Sequence, residues 1–238
     1  MEFGIKLKVW GDFAAFNRPE MKVERVSYDT ITPSAARGIL EAIYWKPGML
    51  WVIDRLHVLR PIRFAHVRRN EISSRIPVHG SAGVAAAMRR ERGHLGIIVQ
   101  KYRQQRSAMV LRDVCYGIGA HIEILPDGGH EAATGVGKHL AMFKRRAARG
   151  QYFHHPYLGC REFPASFALA ESFPAAPQEL AGSRDLGFML HDIEFSEQPD
   201  GEIVESSQGR RLTATPRFFR AEMTDGVIQV PPLLDARS

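Results

Sequence analysis

The stretch MVLRDVCYGIGAHIEIL (109–125) decides the fold. Its even positions Val110, Val114, Tyr116, Ile118, Ala120, Ile122 and Ile124 are apolar, while the odd ones include Asp113, His121 and Glu123. A period of two predicts a strand with one buried face. On its N-terminal side, WVIDRLHVLRPI (51–62) is rich in β-branched and aromatic residues and short for a helix, which predicts a second strand. Further back, Pro33 and Ser34 open a segment with Ala36, Ile39, Leu40 and Ile43 at helical spacing, closed by Pro47-Gly48. Residues 3–10 alternate Ile5, Leu7 and Val9 against Lys6, Lys8 and Trp10 until Gly11-Asp12 breaks the run. On the C-terminal side, the loop 126–137 holds Pro126 and glycines 128, 129, 135 and 137. It leads into KHLAMFKRRAAR (138–149), with Leu140, Phe143 and Ala147 as an apolar stripe and Lys144, Arg145 and Arg149 as a basic face. Beyond Gly150, the residues Phe163, Ala165, Phe167 and Leu169 supply one face of a fourth strand.

The resulting order, β-α-β-β-α-β, predicts an α+β, ferredoxin-like domain over 1–169, with a basic insertion at 66–106. RNA-recognition (RRM-like) modules share that fold, which by itself assigns no function. The remainder, 170–238, has strand-like pieces between Pro, Gly and Asp turns and reads as an acidic antiparallel β-subdomain.

With 238 residues, 45% hydrophobic and 24% charged, the chain can bury a core, which excludes disorder as its main state. No run approaches the about 18 to 20 apolar residues that cross a bilayer, and the start lacks a signal-peptide pattern. A soluble, cytoplasmic protein with no membrane partner is expected. Cys115 and Cys160 lie far apart with no zinc-ligand spacing, so no disulfide framework, metal or cofactor is expected.

The net charge of +6 is unevenly placed. Residues 170–238 hold 12 acids and 6 bases, a net of −6, which leaves +12 for the rest. Within 66–106, nine Lys/Arg face only Glu71 and Glu91; Arg68, Arg69, Arg75, Arg89 and Arg90 are the candidate RNA contacts there, joined by Lys144 and Arg145 on the second helix. Such a concentration is the footprint of a polyanion partner, and arginine forks suit phosphate. The alternative is a solubilising surface.

Gly137-Lys138-His139 suggests a phosphate loop but lacks the glycine and the Ser/Thr of that motif, and carboxylates for two-metal chemistry are scattered. What remains is a Lys-His pair at a helix start, where orphan N–H groups and the positive dipole end favour phosphate. That field opposes protonation of His139 and suits it to act as a neutral general base. A basic helix start that merely touches solvent fits the same residues, and Tyr44 alone reads as a core aromatic.

Several segments nevertheless resemble one family. KLKVWGDFAAFNRPEMKVERVSYDTITPSAARGILEAIYWKP (6–47), VLRPIRF (58–64), VLRDVCYGIGAHIEI (110–124), GKH followed by FKRRAARGQ, and YLGCREFPASF (157–167) are similar, in order, to the subtype I-C (Dvulg) CRISPR-associated protein of the fifth Cas family. The resemblance implies a RAMP-superfamily domain with a C-terminal β-extension. It also implies metal-independent cutting of precursor CRISPR RNA at the base of the repeat hairpin, then retention on the 5′ handle of the mature RNA among other type I-C Cascade subunits. The family's catalytic tyrosine falls on Tyr44 and its Lys-His pair on Lys138 and His139. In the implied reaction the ribose 2′-OH attacks the adjacent phosphate; His139 takes its proton, Lys138 stabilises the phosphorane, and Tyr44 orients the phosphate or protonates the leaving oxygen. Two alternatives stay open, a non-catalytic Cascade subunit that caps the 5′ handle and an RNA-binding module outside CRISPR.

Overall fold

The computed structural model describes residues 4–21, 23–78, 80, 83–90, 96–125, 135–196, 202–205 and 211–237. Most of the loop 126–137, with Gly128 and Gly129, lies outside them. In chain order come β1 (Ile5–Ala14), β2 (Arg25–Val26), α1 (Pro33–Ile43), β3 (Met49–Val58), β4 (Phe64–Ile72), α2 (Val84–Arg90), α3 (Val99–Tyr102), β5 (Arg103–Ile124), α4 (Val136–Ala148), β6 (Ser166–Leu169), β7 (Ser183–Ser196), β8 (Glu202–Glu205), β9 (Arg211–Thr224) and β10 (Val227–Gln229). The architecture is α+β and mainly antiparallel. One sheet runs β6-β1-β5-β3-β10-β9-β7, with β2 and β4 on β5 and β8 on β9.

The quoted stretch forms the centre of that sheet. β5 pairs with β1 from Ile5↔Ala120 to Ala14↔Leu111 and with β3 from Met49↔Ile124 to Val58↔Tyr116. β5 lies between β1 and β3 and is antiparallel to both. The inward residues Leu7, Val9, Ile53, Leu56, Ile118 and Ala120 join Ile39, Leu40 and Ile43 of α1 and Leu140 and Phe143 of α4 in one core. That core also takes in Met189, Phe219, Met223 and Ile228 from the acidic tail, whose strands continue the sheet where β10 pairs with β3. Arg37 on α1 reaches Asp192 on β7 at 2.7 Å.

Several boundaries differ from the sequence reading. β1 continues through Gly11-Asp12 to Ala14. Gly11 is there for close approach, since a Cβ at that position would lie 2.7 Å from Leu158 Cδ1 and 2.9 Å from the Pro164 carbonyl oxygen. β3 starts at Met49, directly after Gly48 with its φ of 81°, and ends at Val58 ahead of Pro61. The supposed insertion 66–106 begins inside a strand, because β4 pairs with β5 from Phe64↔Leu111 to Ile72↔Arg103. Its alternation hides behind polar residues on both faces. Phe163 and Ala165 precede β6, and Phe163 sits in a turn with its N–H on the Cys160 carbonyl at 2.9 Å. Cys115 is buried and Cys160 half-buried, and both are free thiols. Among the described residues no helix is long and apolar enough to cross a membrane.

Candidate active site

Thr32 caps α1 by accepting the Ala35 N–H at 3.2 Å, with Pro33 at the first helical position. The helix stops at Tyr44, which turns extended while its own N–H still reaches the Leu40 carbonyl at 2.9 Å. Trp51 on β3 donates its indole N–H to the Tyr44 carbonyl at 2.9 Å and packs edge-on against Phe143 of α4, with centroids 4.8 Å apart. The backbone of Tyr44 is thereby tied to the strand and helix beneath it.

The N-terminus of α4 brings in the second group. Gly135 precedes the helix with φ 77°, a conformation that favours glycine, and His139 closes the first turn. Phe143, fully buried one turn later, holds this face of α4 against the core. His139 therefore points inward, and its Nδ1 lies 3.0 Å from the Tyr44 hydroxyl. The two side chains are only 3% and 1% exposed. Lys138, one position earlier, is exposed at the helix start. Of the three residues singled out by sequence, the fold joins Tyr44 and His139 directly and leaves Lys138 exposed at the start of the same helix.

Arg146 escaped the sequence reading. Its guanidinium lies 5.2 Å from the centre of the Tyr44 ring and donates to the Ile43 carbonyl at 3.3 Å. The signal was spacing, since His139, Phe143 and Arg146 stand four and three residues apart and share a helix face.

The other basic candidates lie elsewhere. Arg68 and Arg75 are exposed on and just beyond β4, whereas Arg69 is half-buried and ion-paired with Glu162. Arg89 and Arg90 are exposed at the end of α2. Arg145 is exposed and donates to Met142 Sδ at 3.0 Å. Lys144 borders a separate cleft of about 1000 Å³ lined also by Lys6, Asp54, Arg55, His57 and His121. There Asp54, left unpaired in register by a bulge in β3, sits 2.8 Å from His121 Nδ1. Burial pulls the His121 pKa down, but the hydrogen bond and charge of Asp54, helped by Glu123, leave it raised overall. Burial, with Arg55 and Lys6 adding to it, lowers that of His57.

Comparison with known proteins places the chain in a family. The family Cas_Cas5d, described as "CRISPR-associated protein (Cas_Cas5)", matches residues 4–231. A protein of Mannheimia succiniciproducens named CRISPR pre-crRNA endoribonuclease Cas5d is 50% identical over 233 residues, which is 96% of this chain and 95% of that protein. Another of the same name from Thermus thermophilus is 40% identical over 232 residues, 95% of this chain and 91% of its own. A solved structure titled "Crystal Structure of CRISPR-associated Protein" shares the fold, with a TM-score of 0.65 at 21% identity, covering 99% of this chain and 95% of that one. The chain belongs to the Cas5d family of CRISPR-associated proteins.

Proposed function

We propose that this chain is a metal-independent endoribonuclease that cuts precursor CRISPR RNA at the base of the repeat hairpin. It then stays on the 5′ handle as a subunit of a type I-C Cascade complex. The observation that carries the reading is the 3.0 Å contact between Tyr44 and His139 beside exposed Lys138, in a chain half identical to a relative named for that activity.

The contact couples the roles of the two residues. When His139 Nδ1 holds the hydrogen and Tyr44 oxygen accepts it, the imidazole lone pair sits on Nε2. Nε2 takes the proton of the attacking 2′-OH while the 2′-oxygen bonds to phosphorus. As the bond from phosphorus to the 5′-oxygen breaks, Tyr44 gives its hydroxyl proton to that oxygen and receives the Nδ1 proton in its place. Tyrosine, with an ordinary pKa of about 10, thus never has to exist as a free phenolate. His139 ends neutral with its hydrogen on Nε2, and the products are a cyclic phosphate and a 5′-hydroxyl. Lys138 and the first N–H groups of α4 stabilise the added charge on the phosphorane. Arg146, against the Tyr44 ring, adds positive potential beside it. Because Tyr44 and His139 are shielded from solvent, productive binding requires the site to open.

That shielding also favours the rival reading, a subunit that caps the 5′ handle without cutting. Incubation of the purified protein with its cognate repeat RNA in EDTA decides between them. One cut that leaves a 5′-hydroxyl and a cyclic or 3′-phosphate supports the enzyme; handle binding without a cut under any condition replaces it with the scaffold.

A further inference from the structure

We propose that the hollow between Phe153 and Arg146 is a stacking site for one unpaired RNA base beside the cut, an inference that rests on the chain being an RNA-processing protein. Two residues past α4, Gly150 with a φ of 64° reverses the chain, and the Gln151 N–H returns to the Arg146 carbonyl at 3.0 Å. The backbone then crosses to the end of α1, where the N–H groups of Phe153 and His154 both donate to the Ala42 carbonyl, at 2.8 and 3.4 Å. Phe153 is thus anchored to α1 at Ala42, two residues before Tyr44.

Its backbone is held in place, yet Phe153 is 86% exposed. His154 meets its ring only edge-on, 6.1 Å away at 69°. The hollow of about 560 Å³ beside it is lined by Arg146, Gly150, Gln151, Tyr152 and Phe153. Arg146 is the residue that also lies against Tyr44, so the hollow and the catalytic pair share a wall. An open aromatic face next to a guanidinium is the pairing that holds single-stranded bases. Arg145 and Arg149 stand exposed on the same end of α4, so the open ring lies in a field of positive charge that suits the phosphates flanking an unpaired base.

The test uses repeat RNA with 2-aminopurine at successive unpaired positions around the cut, made uncleavable by a 2′-deoxy nucleotide upstream of the scissile phosphate. The wild-type protein should quench fluorescence at one position. Phe153→Ala should lose that quench and bind roughly tenfold more weakly, the size of one lost stack, while Phe153→Trp keeps both. Phe153→Leu, which keeps an apolar side chain without a π-face, should behave like the alanine variant. Equal quench and affinity in Phe153→Ala, with normal cutting of unmodified RNA, would overturn the stacking site and leave the enzyme standing. A Phe153-dependent quench in a protein that cuts nothing would do the reverse. A defect confined to assembly with other subunits would assign the ring to a protein contact and reject the proposal.

Discussion

Tyr44 and His139 sit within the packing of α1, β3 and α4, whereas Arg68 on β4, Arg75 just beyond it and Arg89 and Arg90 at the end of α2 stand in solvent. Both regions serve the same polyanion under the proposed function, and they are built to opposite rules. Proton transfer depends on distance and orientation, so its groups are fixed by a capped helix end, an indole hydrogen bond and a buried phenylalanine. Phosphate attraction depends on charge within a Debye length, so exposed arginines suffice and each one is dispensable. A substitution in the first region should therefore change the rate at constant affinity. In the second it should change affinity and its salt dependence at constant rate.

The largest effect belongs to His139. His139→Ala should lower single-turnover cleavage by about 100-fold or more, the range of a lost general base, with RNA affinity kept. Lys138→Ala should slow the chemistry by about tenfold or more. Tyr44→Phe keeps the ring under Arg146 and removes only the hydroxyl; a rate drop of about tenfold, with about 1 kcal/mol of stability lost at the His139 end, is expected from denaturant melts and rapid-quench assays. A wild-type rate in Tyr44→Phe would break the comparison, because Tyr44 would then be a core aromatic like its neighbours.

Much of this division was legible from residue patterns. The alternation of 110–124 and the spacing of Ala36, Ile39, Leu40 and Ile43 name their elements, since a buried face imposes its period on the chain. The strand β4 was not legible, because HVRRNE carries polar residues on both faces and its pairing with β5 leaves no period-two hydrophobic trace. Gly11 looked like a turn and proved to be a point of close approach, a difference that only three-dimensional neighbours reveal. Tyr44 and His139 were visible as residue types, yet their contact spans 95 positions and follows from how α4 crosses the sheet. Phe153 lacked any motif, and Arg146 showed only as a helix position in step with His139 and Phe143.

Smaller effects sharpen the contrast among the exposed cations. Arg89 and Arg90 are exposed, so replacing both with glutamine should flatten the slope of log affinity against log salt by about 1.5 to 2. Replacing Arg68 and Arg69 should flatten it by about half as much, because Glu162 already neutralises Arg69. Cleavage at saturating RNA should be unaffected in both. Smallest is a pH effect in the cleft. The His121 pKa is raised in the folded chain, so its ion pair with Asp54 contributes stability that is present below about 6.5 and lost as pH rises through the raised value. His121→Asn should make thermal stability flatter across that window while leaving cleavage unchanged.

The central claim is that the buried Tyr44–His139 pair drives attack by a ribose hydroxyl, and one atom of the substrate tests it. Repeat RNA in which only the nucleotide 5′ of the scissile phosphate is 2′-deoxy should bind with nearly normal affinity and remain uncut, in the presence or absence of EDTA. Cutting of that RNA at the normal rate would make water the nucleophile and contradict the roles assigned to His139, Lys138 and Tyr44.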